Sequence, residues 1–263
     1  MVASNITVTP ADTGLVTAEV VRAERISPHF VRLTLGGEEF AGWRHVGFDQ
    51  WFRLAVPTND HNRFDTLPDS FDTAAYLRYL MLPKATRPVI RNYTVREFRP
   101  EVRELDIDFV VHGDAGVAGP WAESLPVGAP VALIDQGCGY RPVATAERVL
   151  LVGDESALPA VVGILRDLPR EARGHAVIEV PDLDDRQPVD APAGVEVHWI
   201  ARGHGAHAGA AALERVRELG ADASTDAFAA GESKLATGVR RHLVNERGVP
   251  KANVDFCGYW RHR

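Results

Sequence analysis

Cysteine is nearly absent from this chain: there are two in 263 residues, Cys138 and Cys257. Two cysteines cannot build a disulfide framework at this length, and their spacing matches neither a CxxC pair nor a zinc-ligand pattern. A reducing compartment is expected, with Cys257 in an apolar terminal run read as a buried, inert thiol. Long apolar runs are also missing. No stretch reaches the roughly 18 uncharged apolar residues that cross a bilayer. Residues 1–6 lack the basic start and apolar stretch of a secretory signal. The expectation is therefore a cytoplasmic protein without membrane insertion. An excess of positive charge is missing too. Lys and Arg number 29 against 36 Asp and Glu, a net charge of −7. That excludes a global basic field for nucleic acid and leaves a local patch open. Neither a glycine period of three nor a lasting heptad occurs, which excludes collagen and coiled coil.

What is present is ordinary globular composition, 45% hydrophobic and 25% charged. The length suits two modest domains. Residues 1–14 are polar and aperiodic and read as a loose tail. Residues 15–145 read as short strands. Phe30–Leu35 alternates apolar with polar and stops at Gly36-Gly37, Trp51–Val56 stops at Pro57, Leu105–Val111 precedes His112-Gly113, and Val131–Ile134 follows a Pro126-Val127-Gly128 turn. That spacing points to a small antiparallel barrel, interrupted by a short helix over Asp72–Leu82.

The pattern changes near Thr145, where residues 146–263 become strand–helix alternation, the mark of a doubly wound parallel sheet. Strands are predicted at Arg148–Val152, Ala176–Val180, Val195–Ala201, Ala227–Ala230 and Val254–Trp260. Helices are predicted over Ala157–Leu168, Ala210–Leu219 and a last stretch running through Asn245.

Two segments of the first domain carry chemical information. In Arg91-Asn92-Tyr93-Thr94-Val95-Arg96, strand alternation puts Arg91, Tyr93 and Val95 on one face and Thr94 on the other. Arg91 can grip a diphosphate with paired donors, Tyr93 offers an aromatic plane, and Thr94 offers a hydroxyl. Alone, this reads first as an exposed strand with Tyr93 at the sheet edge. The second segment, His112 to Glu123, is a Gly/Ala-rich loop leading into a helical turn at Pro120. Its backbone N–H groups can approach a phosphate, and His112 and Trp121 can flank a flat ring. Alone, this is equally a strand-to-helix turn with Trp121 packed in the core.

Together the segments resemble the FAD-binding region of the siderophore-interacting proteins, a family of ferredoxin–NADP reductase-like flavoproteins. The family pattern is Arg-x-Tyr-Thr-x-Arg, then Asp-Phe-Val-x-His-Gly, then a Gly/Ala loop ending in Trp-Ala. Here these are Arg91–Arg96, Asp108–Gly113 and Gly116–Ala122. The resemblance continues through Gly153-Asp154-Glu155-Ser156-Ala157-Leu158-Pro159-Ala160, Ala230-Gly231-Glu232 and Gly258-Tyr259-Trp260-Arg261. The phosphate loop departs from the family. It reads Gly-Val-Ala-Gly-Pro-Trp where relatives commonly carry Gly-Pro-Ala-Ser before the Trp, which removes one hydroxyl and leaves backbone donors.

The resemblance implies an FAD-binding barrel followed by an NAD(P)-binding α/β domain. It implies a ferric-siderophore reductase that takes electrons from NADPH or NADH. Ferredoxin as donor, or siderophore binding without turnover, are the alternatives, and a monomer is expected. Arg91, Tyr93, Thr94, Val95, His112, Gly113, Gly116, Ala118 and Trp121 would hold FAD, with Tyr93 and Thr94 nearest the reacting ring. Gly153, Asp154, Glu155, Ser156, Ala157, Gly231 and Glu232 would line the nicotinamide-nucleotide site, and Tyr259 and Trp260 would bind cofactor by covering either the flavin or the nicotinamide slot. Arg202, after the third strand, would meet the adenosine ribose or its 2′-phosphate. Arg53, Arg141 and Arg261 would contact the chelate. No resident metal is expected.

Other signals carry plainer readings. Gly203-His204-Gly205-Ala206-His207-Ala208 fits G-x-G-x-x-A but follows the domain's third strand, so it reads as a loop, and its two histidines lack a carboxylate partner. Ser156 sits one position late for a nucleophile elbow. Asp182, Asp184 and Asp185 read as a solvated turn.

Overall fold

The computed structural model describes residues 3–10, 14–59, 61–62, 64, 67–70, 73–111 and 116–262. The chain forms two compact units, one of Val8–Val46 with Gln50–Cys138, the other of Gly139–Arg263 with Met1–Thr7 and Gly47–Asp49. No helix among the described residues is long and apolar enough to cross a membrane.

The first unit contains β1 (Leu15–Ser27), β2 (Phe30–Gly36), β3 (Trp51–Val56), α1 (Thr73–Met81), β4 (Val89–Thr94), β5 (Glu97–Arg99), β6 (Glu104–Val110), α2 (Ala118–Glu123) and β7 (Pro130–Gly137). Its strands form one antiparallel sheet in the order β4-β3-β7-β1-β2-β6-β5. β4 and β5 are separated by two residues yet lie at opposite ends of that order. Between them, the Arg96 N–H donates to the Asp106 carbonyl at 2.9 Å, so the sheet closes on itself as a barrel. The alternation in β2 explains its placement. Val31, Leu33 and Leu35 are fully buried, while the outward Arg32 forms a bidentate pair with Asp108 at 2.6 and 2.8 Å and Thr34 donates to Asp106 at 2.8 Å. The expected helix at 72–82 is α1, with Asp72 outside the described residues.

The second unit contains β8 (Arg148–Gly153), α3 (Leu158–Asp167), β9 (Arg173–Val180), β10 (Gly194–Ala201), α4 (Ala210–Glu218), β11 (Thr225–Glu232), α5 (Ser233–Arg241) and β12 (Val254–Trp260). Its sheet is parallel, in the order β10-β9-β8-β11-β12. β8 is an apolar run from Val149 to Val152 because both its faces are covered; every residue of β11 is buried. On one face Ala212 and Val216 of α4 pack with Leu235, Ala236 and Val239 of α5. The last helix does not run through Asn245 as regular α-helix. After Arg241 it widens into a π turn over His242–Glu246. The acidic turn at 182–185 is also more than solvated surface, since Asp185 is fully buried and its carboxylate accepts from the Asp182 N–H.

The N-terminal tail is not loose throughout. Asn5 donates from Nδ2 to the Val254 carbonyl at 2.8 Å and accepts from the Phe256 N–H at 2.8 Å. The Gly258 N–H donates to the Ala3 carbonyl at 3.0 Å. β12 is an edge strand, and its open backbone groups recruit the tail.

Candidate functional site

In the barrel unit, β4 positions the first set of predicted residues. Arg91 is exposed, with Nη1 donating to the Ile90 carbonyl at 2.7 Å. Tyr93 lies inward, its ring centroid 4.2 Å from that of Phe109 on β6, and Phe109 is in turn 5.9 Å from Trp121 on α2. Burial pushes the Tyr93 hydroxyl well above its usual range, so it stays protonated. Thr94 is buried. Val95, predicted as a cofactor contact, has its side chain in the barrel core, and its N–H donates to the Gln50 carbonyl at 2.8 Å. Gly116, at φ 90°, has open space where a side chain would stand, and Ala118 is buried at the start of α2. His112 and Gly113 lie outside the described residues.

Arg53, opposite Asn92 in the β3–β4 pairing, donates from Nε to Gln136 at 3.0 Å. Burial lowers its pKa, offset in part by Tyr76. It opens on a cavity of about 300 Å³ shared with Arg87, Arg91, Asn92, Tyr76 and Tyr79, and no acidic residue lines it among the described residues. The Arg87 guanidinium lies 5.4 Å over the Tyr79 ring. The sequence reading missed Arg87 and the two tyrosines; their trace was the i, i+3 placing of aromatics in α1.

In the parallel-sheet unit the order of strands reverses at β8. β9 and β10 build outward on one side of it, β11 and β12 on the other. The crevice at the carboxyl ends of β8 and β11 is the switch point where open α/β sheets bind ligands. Gly153, Asp154, Gly231 and Glu232 lie there. Asp154 is fully buried and organises them. Its Oδ1 accepts from the Ser156 N–H at 2.9 Å and hydroxyl at 2.6 Å. Its Oδ2 accepts from the Glu232 N–H at 2.6 Å and the Trp260 indole N–H at 3.0 Å. Burial, then the neighbouring Glu155 charge, push Asp154 up to about 6 against these donors. Gly231 is required: at φ 120°, a Cβ would stand 2.5 Å from the Asp154 carboxylate. Ala157 is buried under Gly153, whose own Cβ would meet it at 2.9 Å. Glu232 caps α5 by accepting from the Lys234 N–H. Tyr259 is partly exposed.

Arg202 is held by two carboxylates. Its Nε donates to Glu179 at 2.9 Å and its Nη2 to Glu155. Burial works against its charge, but the two carboxylates raise its pKa. Glu179 is fully buried and also accepts from the Gly209 and Ala212 N–H groups at 2.7 and 3.1 Å. The guanidinium neutralises two buried acids. A glutamate inside the apolar run Ala176–Val180 was the signal for this network. Arg141 is likewise held, by Asp255 at 2.8 Å, although its side chain is largely exposed. Arg261 is exposed.

Comparison with known proteins adds to this geometry. The siderophore-interacting FAD-binding domain model matches residues 19–138, and the siderophore-interacting protein model matches residues 146–263. The chain belongs to the siderophore-interacting protein family. An uncharacterized protein of Mycobacterium tuberculosis is 37% identical over 254 residues, covering 92% of this chain and 89% of that one. Ferric vibriobactin reductase ViuB of Vibrio cholerae is 29% identical, covering 92% and 88%. The crystal structure of a siderophore utilization protein from T. fusca superposes with a TM-score of 0.79 at 32% identity, covering 97% and 96%. The fold is that of the ferredoxin–NADP reductase-like flavoproteins, and the barrel is an FAD-binding domain. The residues present fit that cofactor: an exposed arginine for the diphosphate, the partly exposed rings of Tyr93 and Trp121 for the ring systems, and open space at Gly116.

Proposed function

We propose that this protein is an FAD-dependent ferric-siderophore reductase driven by a reduced nicotinamide nucleotide. The observation that carries the reading is the Asp154-centred crest at the switch point of a parallel sheet, in a chain that also holds an FAD-binding domain. When bound, FAD supplies the conversion of a two-electron hydride donor into the single electrons an Fe(III) centre accepts. One nucleotide therefore reduces two ferric ions. Fe(II) binds hard oxygen donors more weakly, so the chelate releases it.

The chain's own residues bind and orient. Arg91 holds the diphosphate, and Tyr93 and Trp121, backed by the buried Phe109, present aromatic surface. Thr94 offers a hydroxyl beside them. The crest residues Gly153, Asp154, Ser156, Gly231 and Glu232 seat the nicotinamide nucleotide, with Asp154 fixing the loops rather than exchanging protons. Because Arg202 is committed to Glu155 and Glu179, nothing in its geometry favours NADPH over NADH. An anionic ferric chelate is drawn by Arg53 and Arg87 of the barrel unit. Arg141 contributes less, because Asp255 offsets its charge.

Anaerobic stopped-flow tests this reading. NADH or NADPH should bleach the flavin absorbance of the holoprotein, and a ferric siderophore should restore it with two Fe(II) trapped per nucleotide. Bleaching by reduced ferredoxin alone, or chelate binding without Fe(II) release, overturns it.

A further inference from the structure

Two histidines and a glutamate meet on one face of the sheet edge formed by β9 and β10. The register pairs His175 with Glu196 and Val177 with His198. Glu196 and His198, two apart on one strand, therefore share the face that carries His175. The His175 Nδ1 lies 3.1 Å from the His198 Nε2. The Glu196 carboxylate is 3.7 Å from the His175 Nδ1 and 3.6 Å from the His198 Nδ1.

Two imidazole nitrogens this close need a proton or a cation between them. Arg215 Nη2 donates towards the His198 Nδ1 at 3.4 Å, so the proton sits on the His198 Nε2 and is shared with His175. A metal ion would replace that proton. Two nitrogens bound to one ion at about 2.0–2.1 Å, at a tetrahedral angle, stand about 3.3 Å apart. The spacing found here therefore needs almost no backbone movement. Glu196 is exposed enough to swing in as a third ligand. His175 and Glu196 also line a cavity of about 420 Å³ with Glu147, Arg148 and Arg173, which leaves a fourth position open to water.

We propose that His175, Glu196 and His198 form a binding site for a divalent first-row transition-metal ion of borderline character, such as Zn(II) or Fe(II). Two imidazoles and one carboxylate suit these ions and not Mg(II). Binding requires the other neutral tautomer of His198: its proton moves from Nε2 to Nδ1, which lies 3.6 Å from the Glu196 carboxylate, and the freed Nε2 lone pair forms the metal–nitrogen bond. The site lies in the first part of β9 and β10, away from the carboxyl ends where this sheet class binds nucleotides. It stands whether or not the reductase reading holds. Arg215, paired with Glu218 at 2.8 Å, faces the cluster and weakens it by charge repulsion.

Isothermal titration of tag-free, FAD-loaded protein with ZnCl2 in a non-chelating buffer tests the site. One Zn(II) per chain is expected, with no heat from MgCl2. His175→Gln and His198→Ala should each weaken binding at least tenfold, and Arg215→Met should tighten it, all at unchanged flavin content. His175 is partly exposed, so its variant keeps the test valid if the His198 variant misfolds. Absent Zn(II) binding, affinity unchanged in His175→Gln, equal affinity for Mg(II), or weaker binding in Arg215→Met overturns the proposal.

Discussion

The indole N–H of Trp260 donates to the buried Oδ2 of Asp154 at 3.0 Å. The last strand of the chain is thereby latched to the loop that follows the first strand of the parallel sheet. The same oxygen accepts from the Glu232 N–H, so one carboxylate joins three strand ends. Trp260→Phe keeps the ring and removes the donor. A hydrogen bond to a buried charge is worth about 1.5–3 kcal/mol. Calorimetry should show a lower melting temperature, with FAD content unchanged.

Arg202→Met should be more damaging. It leaves Glu155 and Glu179 buried without a counter-charge, a loss of about 3–5 kcal/mol. Denaturant melts should show this loss, and the ratio of kcat/KM for NADPH to that for NADH should stay where it was. A selective fall with NADPH would mark Arg202 as a phosphate contact.

Gly231→Ala places a Cβ 2.5 Å from the Asp154 carboxylate at φ 120°. Overlap and backbone strain together should cost about 3 kcal/mol. Nicotinamide-dependent bleaching should fall with the melting temperature, because the crest itself is displaced.

Asp49 accepts from the Gly139 and Tyr140 N–H groups at 3.1 and 2.9 Å, yet burial pushes it from 3.8 up to about 6. The folded state then holds this proton more tightly than the unfolded chain. Stability from this group is full below about pH 4 and is lost as pH rises through about 6, a change of about 3 kcal/mol. Asn at this position keeps an acceptor for both N–H groups and cannot ionise. Chemical denaturation from pH 4 to 7 should show a shallower fall for Asp49→Asn than for the native chain.

Arg91→Ala should weaken FAD retention about ten- to a hundredfold, the worth of a charge-assisted phosphate contact. Flavin occupancy after dialysis measures it. Undiminished occupancy would move the diphosphate elsewhere in the barrel.

Much of this was legible in the residues. The alternation of Phe30–Leu35, the apolar run at Arg148–Val152 and the glycine at its end mark a half-buried strand, a doubly covered strand and a sheet crest. Each is a local pattern set by the two-residue period of strands or by what glycine alone permits. The motif from Arg91 to Arg96 pointed to the flavoprotein family, and the family models agree. A period of two says which residues share a face and not which are enclosed, and only the structure puts Val95 in the barrel core.

By itself, then, the sequence determined the strand and helix order of the second unit, the glycine positions and the family. Only the tertiary structure decided who partners whom. Arg202 meets Glu155 and Glu179, His175 meets His198, and Asn5 fastens to β12. These pairs are separated by tens to hundreds of residues, and strand order and register bring them together. A charged side chain's role follows from the neighbour it is buried with, and chain-local periodicity carries no record of that neighbour.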